Sequence, residues 1–199
     1  ARDITDRRKA DAEQIKLVYQ SAVRTLPGVA VAVAGIAYLV GQEVPNLLPY
    51  AWALTIFAIY AYRMVVTRNA LRRLRSAQEF IAHSSTMTGL TTAMGVIAGA
   101  GLLYFISELS GERQALVIMI CIGWVAGAVG VSSQYPRYII PWYATFGGSL
   151  ALAWLLFGSS NRLLVALMLA LLLIYLSIAI REVGKKTAES IRIRFQNIG

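Results

Sequence analysis

Residues 163–180, LLVALMLALLLIYLSIAI, contain nothing more polar than Tyr175 and Ser177. An uncharged apolar segment of about 18 residues or more is long enough to cross the hydrocarbon core of a bilayer as a helix. The whole chain agrees with this interpretation, because 57% of its 199 residues are hydrophobic and only 15% are charged. Soluble domains carry about 25% charged residues. The sequence therefore predicts an all-α integral membrane protein and excludes a soluble domain.

Five further apolar segments of similar length precede this one, which predicts a six-transmembrane-helix bundle. The six predicted spans are residues 22–40, 47–66, 87–109, 114–135, 138–157 and 163–180. Several connections are short and carry Gly, Pro, Ser or Asn, as tight turns require. Only Pro136 and Arg137 separate the fourth and fifth spans. Five spans therefore remain an alternative.

The basic residues are unevenly distributed between the two sides that six spans define. Of the 19 Lys and Arg residues, only Arg113 and Arg162 lie on one side, and Arg63 is counted with those on the other. The side rich in Lys and Arg is cytoplasmic, so both termini are predicted inside. The net charge of +9 does not indicate nucleic-acid binding, because the charges flank apolar segments instead of forming a basic face on a soluble fold.

Two stretches outside the spans are predicted to be helical. Residues 3–26 place Ile15, Val18 and Ala22 on one face, as in an amphipathic helix, and residues 67–85 predict a loop helix. The predicted organisation is an N-terminal cytoplasmic amphipathic helix (1–21), a six-helix transmembrane domain (22–180) and the start of a cytoplasmic signalling helix (181–199).

No Asp, Glu, Lys or Arg lies in the middle of a predicted span. Ion-coupled pumps and proton relays need such residues, so a pump is disfavoured. The chain has one cysteine, Cys121, and one histidine, His83. It therefore offers no catalytic constellation, and neither a metal site nor a cofactor is predicted.

Small residues are concentrated in the third, fourth and fifth spans. Gly95 and Gly99 form a G-x-x-x-G pattern, and so do Gly123 and Gly127. Such patterns let helices approach closely in lipid, which predicts a tightly packed group of three spans. Alternatively, these spans line a pocket whose apolar walls, hydroxyls and single indole suit a lipid-like amphiphile.

The C-terminal segment carries a family resemblance. Residues 189–197, ESIRIRFQN, directly follow the last aliphatic span. They resemble the stretch that joins multi-span input domains to the output modules of bacterial sensor histidine kinases, including hybrid kinases, and of GGDEF-type diguanylate cyclases. The run from Gly127 through Ser132, Ser133 and Tyr135 to Pro136 is similar to the inner turn before the fifth span of those domains.

This resemblance implies a sensor domain without its output module, since no phosphoacceptor histidine segment, ATP-binding motif or GGDEF sequence is present. It further implies a homodimer in the bacterial inner membrane, in contact with lipids, whose paired stalks pass a signal to a C-terminal kinase or cyclase. Some kinases of similar layout respond to diffusible cis-2-unsaturated fatty acids, a quorum signal. A lipophilic small molecule is therefore one expected stimulus.

The receptor hypothesis assigns two sets of residues. Ile191, Arg194 and Phe195 are predicted to transmit the signal along the stalk. Trp124 lies in mid-span, where its indole N–H needs a partner or a polar cavity. A packed core tryptophan is the alternative interpretation of this residue. The residues predicted to contact the ligand are Trp124, Tyr104, Ser133, Thr91 and Trp154.

Two other classes of function are alternatives to a receptor. A small transporter, channel or lipid-handling protein is the main alternative, and it requires no stalk. An intramembrane enzyme fits least, because no paired acids, Ser–Lys dyad or histidine cluster supplies an acid, a base or a metal.

Overall fold

The computed structural model describes residues 2–22, 25–74, 76–158 and 161–198. In these residues the backbone forms seven α-helices and no β-strand, which confirms the all-α fold class. The helices are α1 (Arg2–Ala22), α2 (Leu26–Gly41), α3 (Leu48–Arg73), α4 (Ala77–Glu108), α5 (Gly111–Ser132), α6 (Pro136–Phe157) and α7 (Arg162–Ile198).

Five of the described helices, α3 to α7, are long and apolar enough to cross a membrane. Helix α2, which corresponds to the first predicted span, is also apolar but has only 16 residues. At a rise of 1.5 Å per residue it is about 24 Å long, shorter than a hydrocarbon core of about 30 Å. The architecture is that of a multi-pass helical membrane protein in which α2 is the shortest apolar helix.

The separate loop helix predicted at residues 67–85 is wrong. Helix α3 continues to Arg73, and α4 already begins at Ala77. Ser76 starts α4 with a capping box: its hydroxyl accepts the Glu79 N–H at 3.2 Å, and its own N–H donates to the Glu79 carboxylate at 3.4 Å. Such a box satisfies backbone donors at a helix start. The predicted loop helix therefore consists of the ends of two long helices.

Helices α4 and α6 form the most extensive contact among the described helices. Gly95 and Gly99 of α4 face α6, where an added Cβ at Gly95 would lie 2.9 Å from the carbonyl oxygen of Trp142, and one at Gly99 would lie 2.6 Å from Cβ of Ser149. Only glycine allows backbones to approach so closely. The tight packing predicted from this G-x-x-x-G pattern is confirmed.

Helix α1 lies across one end of the bundle, called the α1 end below. Ile15, Val18 and Tyr19 are each 1% exposed and belong to an apolar cluster with Phe80 and Met87 of α4. The apolar face predicted for this helix is confirmed at Ile15 and Val18, while the side chain of Ala22 lies outside the described residues. Helix α1 thereby covers that end of the core.

At the opposite end of the bundle, Glu43 links two connections. Its carboxylate accepts the hydroxyl and the backbone N–H of Ser110, both at 2.6 Å, and lies 3.2 Å from Nε of Arg113. The two hydrogen bonds from Ser110, assisted by the charge of Arg113, lower the pKa of Glu43 below its ordinary value of 4.5. The connection after α2 is thus joined to the connection before α5.

This linkage predicts a pH-dependent contribution to stability. A carboxyl whose pKa is lowered by folding stabilises the fold above its unfolded pKa, and the contribution is lost as the pH falls through the lowered value. We expect Glu43→Gln to lower the melting temperature at pH 7, and this deficit to shrink as the pH falls below the ordinary carboxyl pKa of 4.5 and through the lowered pKa of Glu43. Thermal scans in a neutral detergent measure both values.

Glu112→Gln is the matched control, because Glu112 is an exposed carboxylate in the first turn of α5. It should show no comparable deficit. A Glu43→Gln deficit that persists unchanged at low pH would contradict an electrostatic role for Glu43.

Candidate cavity with a buried arginine

A cavity of about 630 Å³ lies between helices α2 to α6. This volume is within the range of about 300–1,000 Å³ that is typical of small-molecule sites. Its polar end is formed by residues near the α1 end of their helices, and its other end is apolar. The polar end contains Thr25, Tyr60, Arg63 and Tyr138, and the apolar end contains Val31, Met94 and Ile120.

The cavity exists because α5 does not pack closely through its glycines. Gly123 and Gly127 line it, and a Cβ added at either position would meet no atom of the described residues within 4 Å. The close packing predicted from this G-x-x-x-G pattern is therefore wrong for α5. The alternative interpretation, that these spans line a pocket, describes the two glycines correctly. Glycine at these two positions leaves open a space that a larger side chain would fill.

Aromatic rings form one wall. Trp124 of α5 lies 4.9 Å from the ring of Phe146 and 6.0 Å from that of Trp142, and the Trp142 and Phe146 rings stack at 5.2 Å. Trp142 and Phe146 are one helical turn apart on α6, so one face of α6 presents both rings. This cluster gives the cavity a rigid apolar side.

Arg63 is the most unusual residue of the cavity. Although it lies in α3, a helix apolar enough to span a membrane, it is only 6% exposed. Within the described part of the chain, Nε of Arg63 has no hydrogen-bond partner, and no carboxylate lies within ion-pair distance of the side chain. Its guanidinium carbon lies 4.8 Å from the ring centre of Tyr60 and 5.9 Å from that of Tyr138.

The two ring contacts do not balance the burial of this charge. A desolvated cation–π contact contributes about 2 kcal/mol when the cation is close to the ring, and the Tyr138 ring is at the limit of that range. Moving a cation out of water costs several kcal/mol even after the surroundings relax. Arg63 is thus a buried cation that is only partly compensated by the described residues. The sequence-based assignment of Arg63 to the basic residues of the cytoplasmic side overlooked this burial.

The five predicted ligand contacts are not brought together. Trp124 and Thr91 line the cavity, and the Thr91 hydroxyl donates to the backbone oxygen of Met87 at 2.8 Å. Tyr104 is 49% exposed beside Phe105, near the end of α4 that is distant from α1. Trp154 and Ser133 are buried in other parts of the fold. The cavity therefore unites two of the five residues.

The predicted transmission residues lie at the far end of α7. Ile191 is partly buried and borders a groove between α1 and α7, together with Leu17 and Thr187. The backbone at Arg194 and Phe195 is helical, but their side chains lie outside the described residues. Of the three residues, Ile191 is the one whose side chain the structure describes, and it lies at the groove between α1 and α7.

Among the cavity residues that sequence reasoning missed, Arg63, Tyr138 and Trp142 matter most for its chemistry. A signal existed for Arg63, because it follows Ile56 and Tyr60 at helical spacing on the face of α3 that is buried. A charged residue on the buried face of an apolar helix marks a functional position more often than one at a helix end.

The open space at Gly123 predicts that a large side chain is tolerated there. We expect Gly123→Leu to fold with a melting temperature close to that of the wild type and to fill part of the cavity. The neutral apolar dye N-phenyl-1-naphthylamine should bind this variant about fivefold or more weakly than the wild type, since apolar contact area is lost to the leucine.

Gly95→Leu is the matched control, because the same substitution at the contact with α6 introduces overlap and should cost about 1–3 kcal/mol or more in stability. Equal dye affinity in the wild type and Gly123→Leu would show that the dye does not occupy this space.

Comparison with known proteins returned no match for this chain. No family model matches it, and no curated protein or solved structure matches it significantly. The geometry of the cavity, the burial of Arg63 and the connection between α6 and α7 therefore carry the functional interpretation.

Proposed function

We propose that the chain is the transmembrane signal-sensing input domain of a bacterial two-component sensor histidine kinase. A membrane-soluble small molecule is detected in the cavity, and α7 relays the signal to a cytoplasmic output module. The proposal is supported by the likeness of residues 189–197 to the segments that precede such modules, and by an apolar cavity of about 630 Å³. The observation that carries it is the position of α6, which lines this cavity and also contacts α7.

Helix α6 contacts α7 at two levels. The Tyr143 hydroxyl of α6 donates to the backbone oxygen of Leu173 at 3.0 Å. Nearer the α1 end, a Cβ added at Gly184 of α7 would lie 2.5 Å from Cδ of Pro136, the first residue of α6. A movement of α6 therefore has two direct contacts through which it can displace α7.

Helix α1 joins the second of these contacts. The side chain of Gln14, which is buried, donates to the backbone oxygen of Gly184 at 3.0 Å. Helix α7 continues without interruption to Ile198, so a displacement at Gly184 extends into the stalk. The contact of Gln14, Gly184 and Pro136, called the junction below, lies where the apolar part of α7 ends.

We further propose six spans with both termini cytoplasmic. In this arrangement α2 crosses the membrane in addition to α3 to α7. A short span is accommodated by local thinning of the bilayer at modest cost. Five spans would separate the N-terminal basic residues from those of the C-terminal tail. Of the 19 Lys and Arg residues, only Arg113 and Arg162 then lie on the outer side, which is the distribution expected when both termini are cytoplasmic.

The exposed surface of α7 supports a homodimer. Only 17% of its most apolar stretch is buried inside the bundle. Large side chains along this stretch, such as Leu167, Leu171 and Ile174, are more than half exposed. Lipid covers this face in a monomer. In the proposed receptor, a second copy of α7 covers part of it and aligns the two stalks.

Disulfide cross-linking tests the proposed relay. We expect single cysteines at Thr187, Ser190, Ile191 and Ile193 of a Cys121→Ala chain, fused to a kinase output, to form disulfide-linked dimers in membranes. The yield of dimer should vary with position along the helix. The pattern should follow one face of a helix, because residues three and four apart share a face. Cross-linking yields are read by gel electrophoresis, with kinase activity measured in the same samples.

Absence of cross-links at all four positions would contradict dimeric transmission. Flux of solute into liposomes containing the purified chain, unaffected by deletion after Lys186, would instead favour a transporter or channel.

The junction predicts a second outcome for the same fusion. Gln14→Ala removes a buried hydrogen bond worth about 1 kcal/mol, and such a coupling energy corresponds to about a fivefold change in the basal output. Gln20→Ala is the matched control, because Gln20 lies on the exposed face of α1. Equal basal outputs of the two variants would show that the junction does not influence α7.

A further inference from the structure

The buried guanidinium of Arg63 indicates the chemistry of the occupant. Arg63 is 6% exposed and lines the cavity, with no acceptor for its Nε and no carboxylate within ion-pair distance among the described residues. Buried arginines in proteins are normally paired with an anion or held by several acceptors. The cavity therefore contains a positive charge whose partner the described residues do not supply.

The polar groups beside Arg63 do not provide a negative charge. The hydroxyls of Thr25 and Tyr60 are hydrogen-bonded to each other. Tyr138 is 2% exposed, and its hydroxyl has no partner in the described residues. A guanidinium supplies only donors, and a phenol can donate as well. An occupant that carries acceptor atoms and a negative charge would satisfy Arg63 and Tyr138 together.

The remainder of the cavity is apolar and leads away from this polar end. Val31, Met94 and Ile120 line the far part, and the aromatic wall of Trp124 and Trp142 forms one side. The occupant is therefore polar at one end and apolar along its length. The exposed edge at Gly123 and Gly127, between α2 and α5, gives a chain dissolved in lipid a lateral route into this space.

We propose that Arg63 binds the anionic headgroup of a single-chain amphiphile, whose chain lies along Trp124 towards Met94. The headgroup chemistry is a carboxylate or a phosphate monoester, since the guanidinium forms paired hydrogen bonds with both. This inference rests on the proposed function only in taking the cavity as the sensory site. The binding itself does not depend on dimerisation or output.

The test uses the full chain in phosphatidylcholine nanodiscs, with displacement of N-phenyl-1-naphthylamine as the signal. The probes share a twelve-carbon chain and differ in the headgroup: laurate, monododecyl phosphate, dodecanol and dodecyltrimethylammonium. We expect the two anions to displace the dye at concentrations lower than dodecanol by about tenfold or more, because charged hydrogen bonds are about twice as strong as neutral ones. The cation should be the weakest competitor.

Substitutions at Arg63 separate the headgroup from the chain. Arg63→Gln should remove the preference for anions and leave the affinity for dodecanol unchanged, whereas Arg63→Lys keeps the charge and should retain part of the preference. Arg68→Gln is the matched control, because Arg68 lies on the exposed face of the same helix. If Arg63→Gln does not fold, the Arg63→Lys variant and the comparison of wild-type probes still decide the question.

Several outcomes would overturn the inference. Equal displacement by dodecanol and laurate in the wild type would show that charge is not recognised. Retention of the preference in Arg63→Gln would place the anion at another site. Loss of laurate binding when phosphatidylglycerol replaces part of the phosphatidylcholine would identify a bilayer lipid as the occupant.

Anion binding without any change in the activity of the kinase fusion is a different outcome. It would refute the proposed function while leaving this inference intact.

Discussion

The close contact between α4 and α6 determines how the other helices are arranged. It depends on Gly95 and Gly99, where a Cβ would overlap α6, and in a bilayer such contacts stabilise helix pairs through packing alone, since lipid provides no hydrophobic driving force between helices. Helix α6 is thereby fixed with Trp142 facing the cavity and Gly147 facing Leu173 of α7. One helix thus separates the candidate site from α7 and contacts both.

Helix α5 shows why the cavity is possible in this environment. In water, an apolar space beside Gly123 would cost stability in proportion to its volume, but in a bilayer a lipid chain can occupy a space that opens laterally. The G-x-x-x-G pattern of α4 closes that helix onto α6, whereas the one of α5 borders open space, because no atom of the described residues would lie within 4 Å of a Cβ at Gly123 or Gly127. The candidate site results from incomplete packing on one side of a well-packed pair.

Hydropathy was sufficient to predict the helical class. A residue's place within a predicted span was not sufficient to predict which side chains meet in the cavity. Residues 163–180 and the other apolar segments identified the helical class because hydrophobicity over about 20 residues reports directly on a bilayer environment. The extension of α3 and α4 was missed because the capping box at Ser76 lies in a charged stretch without an apolar signal. Two identical glycine patterns had opposite outcomes, since the pattern specifies a permissive surface and not its partner. Arg63 was assigned by its distance from the predicted helix end, whereas its burial depends on tertiary packing, in which the ring of Tyr138 on α6 lies 5.9 Å from its guanidinium carbon.

The buried charge also explains how a simple apolar cavity could favour one arrangement of helices over another. A ligand shifts an equilibrium only by the difference between its affinities for the two states, and apolar walls bind a chain almost equally in any arrangement that keeps the cavity open. Arg63 on α3 lies 5.9 Å from the Tyr138 ring on α6, so an anion between them interacts with both helices at once. In the proposed receptor, its affinity therefore depends on the separation of α3 and α6. A difference of about 1.4 kcal/mol between the two arrangements changes their ratio tenfold, and one charged hydrogen bond gained or lost is of that size. In that receptor the charge, more than the volume of the cavity, would couple occupancy to the position of α6.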